Sequence, residues 1–573
     1  MPELTSETTP VQFDSYSRGN CDTPLMKMTL GEAFDRSVER YPDGEALVAI
    51  EQNIRYTYLQ LQQQVNIAAR AFLALGVKKG DRVGIWSPNC AQWLVTQFAT
   101  AKIGAILVNV NPAYQLSELE FTLNQSGIGY LVMADNFKKS DYCQMLRTLA
   151  PELSSSGTGS LPAKRLPQLK AIINLSQQQQ PGMLRWTDFC RNASQIEHSE
   201  LLHIQQQLHF NDPINIQYTS GTTGSPKGVT LSHYNILNNG FFVTENLHFS
   251  HSDRLVIPVP LYHCFGMVMG NIGCVSHGAT MIYPAAAFDP LSVLQAVQDE
   301  KATALYAVPT MFISMLEHPQ FDSFQLNSLR TGIMAGSICP ATIMRAVNDK
   351  MHMREIQIAY GMTETSPVSS QSAADDSFER RMSTVGRTQP HIEHKIIDPD
   401  TGVTVARNVS GELCTRGYSV MIGYWQNDLA TDSVIESDGW MHTGDLATMD
   451  EQGYLRIVGR IKDMIIRGGE NIYPKEVEDF LHAHPQISDV QITGVPDKKY
   501  GEELVAWIKL RPDAPAMDAE AIVQYCRGNI SHYKIPRYIK FVESYPMTVT
   551  GKVQKFKIRE MAMAELQLED IVE

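Results

Sequence analysis

Apolar positions in the first part of the chain switch back and forth between a helical and a strand period. Thr29 to Tyr41 predicts a helix, and Leu59 to Leu75 a second one that stops at Gly76. Val83 to Trp86 reads as a short strand followed by the turn Ser87-Pro88-Asn89. Gln92 to Ile103 is helical again, and Ala105 to Val110 is a strand. Helices alternating with short apolar strands predict an α/β fold with a doubly wound parallel sheet. Further along, Ile214 and Ile216 alternate with Asn215 and Gln217 as in a strand. After VTLSH a helical run follows, with Ser232 as its N-cap. Residues 391 to 425 are strand-rich, in the segments HIEHKIID, GELCTRG and MIGYW. Toward the C-terminal end lie a helix from about Pro474, strands over Asp489 to Val495 and Leu504 to Leu510, and a helix over Ala519 to Ile530.

With 573 residues the chain is too long for one ordinary core. Its 43% hydrophobic and 19% charged residues are those of a soluble globular protein. A net charge of −14 argues against a general nucleic-acid binder, which needs a basic face. Nine scattered cysteines without a C-x-x-C fit reduced thiols in a cytoplasm. The opening MPELTSETTPVQFDSYSRGN lacks the apolar core of a secretory signal and does not suit a transit peptide. EDIVE is not a peroxisomal address, and no run of about 18 apolar residues predicts a transmembrane segment. The expected location is cytoplasmic, and the oligomeric state, a homodimer included, stays open. Residues 151 to 168 and the Gln run at 177 to 180 read as surface loops.

Candidate chemistry centres on YTSGTTGSPKG, Tyr218 to Gly228. Thr219, Ser220, Thr222, Thr223 and Ser225 alternate with Gly221, Gly224 and Gly228, and Pro226 precedes Lys227. Such a segment has no surface for a core. It has hydroxyls, free N–H groups, one ammonium and a backbone that can approach a ligand closely, so it suits a polyphosphate. It is not a P-loop, since Gly228 follows Lys227. From Leu255 to Phe288 no Asp, Glu, Lys or Arg occurs, so that stretch is buried or lines an apolar cavity. Within it PLYHCFG holds His263, which taken alone reads as a satisfied interior histidine. In IAYGMTETSPV, Tyr360 can stack on a purine, Thr363 can meet a phosphate, and Glu364 offers a hard oxygen to Mg²⁺. In DGWMHTGDL, Asp445 can accept from two ribose hydroxyls, and Arg460 can donate to ribose or phosphate.

These stretches together resemble the adenylate-forming superfamily of acyl-CoA synthetases, luciferases and peptide-synthetase adenylation domains. The resemblance rests on YTSGTTGSPKGVTLSHYNILNN, PLYHCFG, YGMTETSPV and GRIKDMIIRGGENIYPKEVE, in that order along nearly the whole chain. It looks most like medium-chain fatty acyl-CoA synthetases of the acyl-CoA synthetase family member 2 type. The resemblance implies a large N-terminal domain, residues 1–461, of doubly wound sheets plus a small β-barrel. A smaller, mobile α+β domain, residues 462–573, would follow, with Lys462 as hinge. It implies that residues 219–227 hold the phosphates of ATP. Ala335, Gly336 and Ser337 would lie by the adenine, and Tyr360, Gly361 and Met362 would hold the adenylate. Thr363, Glu364, His263 and Lys552 would be the catalytic residues. His263, Phe265, Met267 and Gly270 would line the acyl pocket, and Gly468, Gly469 and Glu470 the coenzyme A tunnel.

The reaction so implied is ATP- and Mg²⁺-dependent activation of a fatty acid to an acyl adenylate, then transfer to coenzyme A. Passage of the acyl group to a carrier protein, or a catalytically silent nucleotide-binding homologue, are the alternatives. The second expects missing charges, yet Lys227, Glu364, Asp445, Arg460 and Lys552 are all present. An apolar pocket leaves short branched, medium straight-chain and aryl acids open.

Overall fold

The computed structural model of the chain describes residues 14–154, 163–219, 226–337, 339–468, 470–512, 514–548 and 553–568. The chain divides into two units. One is drawn from residues 18–393 and 415–441, the other from residues 1–17, 394–414 and 442–573.

Two sheets make the frame of the larger unit. In the first, the described strands lie in the order Leu184–Arg185, Ala171–Asn174, Ile128–Met133, Arg82–Trp86, Ile106–Asn109, Pro213–Thr219, Lys227–Ser232 and Gly423–Tyr424. The first six run parallel to their neighbours, and the last two join antiparallel. In the second, Glu45–Ala49, Thr280–Tyr283, Arg254–Val256, Ala304–Ala307, Thr331–Ala335 and Glu355–Gly361 form a parallel run. Antiparallel strands flank it at both ends. Parallel strands covered on both faces need apolar residues throughout. Ile106–Asn109 and Ile128–Met133 accordingly have no exposed position.

The helices begin where the sequence can satisfy orphan N–H groups. Leu30–Arg40 and Tyr58–Ala74 open on capping boxes from Thr29 with Glu32 and from Thr57 with Gln60. Helix Ala91–Ile103 ends on left-handed Gly104. All three coincide with the expected helices to within a residue or two. VTLS belongs to a strand, Lys227–Ser232, antiparallel to Pro213–Thr219, so the glycine–hydroxyl segment joins two strands of a hairpin. Ser232 still caps the next helix, His233–Glu245, by accepting from Asn235 N at 3.1 Å.

Two further sheets are built mostly from residues of the smaller unit. One orders Tyr16–Arg18, Ile392–Ile397, Gly411–Gly417, Met441–Met449 and Leu455–Arg460. The strand-rich segment expected over 391–425 supplies two of these. The other pairs Gly501–Leu510 with Ile487–Asp497, Ile465–Arg467 and Tyr538–Phe541, and Glu470–Ile472 forms its edge. Helices Pro474–His482 and Ala519–Cys526 contribute Val477, Leu481, Ile522 and Cys526 to a core with Ile465, Ile492 and Leu504. The second of these helices was expected to reach Ile530. It stops earlier because Arg527 turns extended and Gly528 is left-handed, at φ +76°.

Candidate active site

In the larger unit the ends of the hairpin meet the strand Gly423–Tyr424. Thr219 faces Lys227 across the hairpin, and Val229 pairs with Tyr424. The Lys227 ammonium lies 4.9 Å from the centroid of the Tyr424 ring, a cation–π contact. The Tyr424 hydroxyl donates to Glu364 Oε1 at 2.9 Å. Burial, then the charge of Glu364, pushes the Tyr424 phenol above its ordinary range, so it stays a donor. One aromatic ring therefore joins the cation that ends the glycine–hydroxyl segment to the Glu364 carboxylate. Pro226 and Lys227 are half-buried, whereas Ser220, Gly221, Thr222, Thr223, Gly224 and Ser225 lie outside the described residues.

Glu364 is held by its own turn. Glu355–Gly361 leads into a single 3₁₀ turn, Thr363–Thr365, in which Thr363 is buried and Glu364 half-buried. Thr365 Oγ1 ties that turn by donating to Pro367 O at 2.6 Å, and Met421 N donates to Glu364 O at 2.9 Å. A Cβ on Gly361 would come 1.8 Å from Pro367 O, so only glycine lets the strand return this tightly. Tyr360 and Met362 are half-buried and Gly361 is exposed. On the neighbouring strand Ala335 is nearly buried, and Gly336 and Ser337 emerge into solvent. Adjacent strands thus offer both predicted purine-facing segments from one end of a parallel sheet, the usual place for a ligand in such folds.

The charge-free stretch is largely buried. Phe265–Ile272 forms a π-helical turn, a form that often marks a functional site. Phe265 stacks on Tyr306 with centroids 5.5 Å apart, and Met267 and Gly270 are buried in the same turn. His263 is half-buried, and Phe265 N donates to its Nδ1 at 3.4 Å. Beneath this turn lies a chain of buried amides. Gln217 Nε2 donates to Asn215 Oδ1 at 2.8 Å and to Met267 Sδ at 3.2 Å, and Cys264 Sγ donates to Gln217 Oε1 at 3.2 Å. Asn215 Nδ2 reaches Asn109 Oδ1 at 3.0 Å, and Asn109 Nδ2 reaches Tyr262 O at 2.9 Å. The strand Pro213–Thr219 and the turn Phe265–Ile272 are therefore tied together by side-chain hydrogen bonds.

In the smaller unit, Asp445 and Arg460 stand opposite each other on antiparallel strands. Arg460 Nε donates to Asp445 Oδ1 at 3.0 Å. Asp445 is almost fully buried, while Arg460 is half-exposed. Lys462 sits in the 3₁₀ turn Ile461–Asp463 that leaves the Arg460 strand. Gly468 N donates to Tyr500 O at 2.7 Å, and exposed Glu470 pairs with Arg467. Gly469 and Lys552 lie outside the described residues.

This arrangement has relatives. The family described as AMP-binding enzyme matches residues 34–425, and the AMP-binding enzyme C-terminal domain matches residues 476–552. The chain belongs to the AMP-binding enzyme family. A Bacillus subtilis (strain 168) chain named as an acyl-CoA synthetase, YngI, is 48% identical over 95% of this chain and 99% of its own length. The medium-chain acyl-CoA ligase ACSF2, mitochondrial, of Bos taurus is 46% identical over 98% of this chain and 91% of its own. Among solved structures, the anthranilate CoA ligase AuaEII in complex with anthranoyl-AMP superposes with a TM-score of 0.82. It is 27% identical, and the match covers 95% of this chain and 99% of that one. The fold of this chain is that of the adenylate-forming acyl-CoA ligases.

Sequence reasoning missed Tyr424 and the buried amides. Tyr424 lay in MIGYW, read only as a strand. Asn215 and Gln217 were read only as the polar positions of an alternating strand, and both are buried, at 1% and 3% exposure. Among the described residues no helix is long and apolar enough to cross a membrane.

Proposed function

We propose that this chain is an AMP-forming fatty acyl-CoA ligase acting on medium-chain acids. What carries the reading is the Lys227–Tyr424–Glu364 group at the exit of the hairpin segment. It sets an ammonium and a carboxylate at fixed positions, beside a strand end that carries Tyr360 and Thr363. The relatives named as acyl-CoA ligases support the acceptor, and the ACSF2 proteins support the chain length.

A carboxylate is a poor acyl donor because its leaving group would be oxide. In the proposed reaction its oxygen attacks the α-phosphorus of ATP, and pyrophosphate leaves. The resulting acyl adenylate has AMP as a workable leaving group. Coenzyme A sulfur then attacks the acyl carbon and AMP departs. Negative charge grows on the α-phosphate in the first step, and Lys227, Thr363 and Lys552 would stabilise it, with Tyr424 holding Glu364 in register. Glu364 is a half-buried hard-oxygen donor, which suits Mg²⁺. That ion would neutralise phosphate charge. Asp445 and Arg460 would hold the ribose, Ala335 to Ser337 the adenine, and the apolar turn from Phe265 the alkyl chain. Residues 462–573 would turn about Lys462 between the two half-reactions, bringing first Lys552 and then the Gly468–Glu470 loop to the carbonyl.

The test is pyrophosphate release over straight-chain acids of graded length, with and without coenzyme A, with acyl-CoA followed by mass spectrometry. Turnover should peak at medium length and yield acyl-CoA and AMP. Pyrophosphate without any thioester would shift the reading to a carrier-protein acceptor. No pyrophosphate with any acid would end it.

A further inference from the structure

One side-chain group in the smaller unit is not used by the proposed reaction. Glu412 and Cys414 alternate on the strand Gly411–Gly417, so they share a face. His442 stands on the neighbouring strand Met441–Met449. One carboxylate oxygen, the Cys414 sulfur and one imidazole nitrogen all lie within 4.8 Å of one another. His442 Nδ1 is 2.9 Å from Glu412 Oε2 and 3.8 Å from Cys414 Sγ. Two ligands of one tetrahedral zinc ion stand roughly 3.3–3.8 Å apart, given zinc–ligand bonds of about 2.0–2.3 Å. The sulfur and nitrogen already stand at that spacing, and the carboxylate needs to open by only about half an ångström. The group is enclosed on the Glu412 and Cys414 side, while the His442 side chain keeps 30% of its surface in solvent, which gives an ion a way in.

We propose that Glu412, Cys414 and His442 form a binding site for a zinc-class divalent ion, and that loading it weakens nucleotide binding. The donor set argues for the ion. Thiolate, imidazole and carboxylate together suit zinc, whereas magnesium and calcium take oxygen ligands only. Three protein ligands also leave the fourth position for water. Binding releases the Cys414 thiol proton to solvent, and the proton on His442 Nδ1 moves to Nε2, which frees the Nδ1 electron pair for the ion.

The consequence follows from what Glu412 already holds. Its Oε1 accepts from Gly444 N at 3.1 Å, and Gly444 adopts φ +70° directly before Asp445. Asp445 N in turn donates to Thr443 Oγ1 at 3.1 Å, and Thr443 Oγ1 donates to Leu413 O at 2.6 Å, between the two strand ligands. An ion that moves Glu412 away from His442 to reach this spacing shifts the carboxylate that holds Gly444 N, and with it the turn that aims Asp445. This second clause rests on the reading of Asp445 as a ribose ligand; the site itself does not.

The experiment titrates the metal-free full chain with Co²⁺ in the presence of excess Mg²⁺. A thiolate-to-cobalt charge-transfer band in the near ultraviolet should grow to one equivalent and vanish when Zn²⁺ is added. Cys414→Ala and His442→Ala should both lack it. Cys414→Ala, the smaller change, keeps the test readable should His442→Ala not fold. A band that never forms, or one that persists in Cys414→Ala, overturns the site. In pyrophosphate release, Zn²⁺ should raise the KM for ATP several-fold in the parent chain and leave Cys414→Ala unaffected. An equal rise in both overturns the coupling. A chain that activates no acid defeats the functional reading alone, because the cobalt band reads the site without turnover.

Discussion

Tyr424 joins two charges through different parts of one side chain, its ring face under Lys227 and its hydroxyl on Glu364. The two contacts can be removed separately. Tyr424→Phe keeps the ring and loses a hydrogen bond to a charged group, worth about 1.5 kcal/mol, so pyrophosphate formation should slow roughly tenfold. Tyr424→Leu should slow it further. Equal activity in parent and Phe variants would mean that Glu364 is held by its turn alone. A buried histidine makes a second prediction at this scale. Leu30 N donates to His233 Nδ1 at 3.1 Å, and burial pushes His233 down to about 3, against a smaller upward pull from Asp212. His394 is likewise pushed down to about 3 by burial. Between pH 6.5 and 3 the unfolded chain binds protons that the folded chain refuses, so stability falls as pH falls through that window. The slope should be roughly 1 kcal/mol per pH unit for each histidine. Urea melts at pH 7, 6 and 5 should follow it, and His233→Gln, which keeps an acceptor for Leu30 N, should flatten it. A slope unchanged in that variant would remove His233 from the account.

Elements explain which parts were legible beforehand. Helices with capping boxes at Thr29 and Thr57 announced themselves, because cap and period agree. The motif around Glu364 was legible for a related reason: a Gly at 361 and a hydroxyl at 363 have no use in a core. The hairpin partner of Pro213–Thr219 was not, since a short apolar run ahead of a helix cap carries no sign of its pairing. Nor was the π-helical turn, whose packing depends on neighbours far away in sequence. The burial of Asn215 and Gln217 was not legible either, because alternation marks them as polar without showing that a second layer supplies their partners. That layer predicts a cost. Gln217→Leu leaves Asn215 Oδ1 and the Cys264 thiol short of a partner, and should lower unfolding free energy by about 1–3 kcal/mol. Chemical denaturation measures it. A loss below that range would mean that the neighbouring amides re-pair among themselves.

At the scale of the whole molecule, the proposed chemistry asks one C-terminal segment to serve two steps that need opposite surroundings. Adenylation needs positive charge near the α-phosphate, and thioester formation needs an open path for a thiol to the same carbonyl. One fixed arrangement serves only one of these well, because a lysine placed on the phosphate occupies space the pantetheine arm must cross. A lobe that presents Lys552 in one orientation and the Gly468–Glu470 loop in another meets both demands. The two half-reactions can be assayed apart, which makes the claim sharp. Lys552→Ala should abolish pyrophosphate formation from acid and ATP, yet largely retain acyl-CoA formation from supplied acyl adenylate. Gly469→Trp should do the reverse, forming pyrophosphate while blocking thioester formation. If both variants lose both halves in equal measure, the two surfaces act as one rigid site, and rotation about Lys462 is the part of the mechanism that falls. If Lys552→Ala spares adenylation, the charge on the α-phosphate is met by Lys227 and its neighbours without help from the C-terminal lobe.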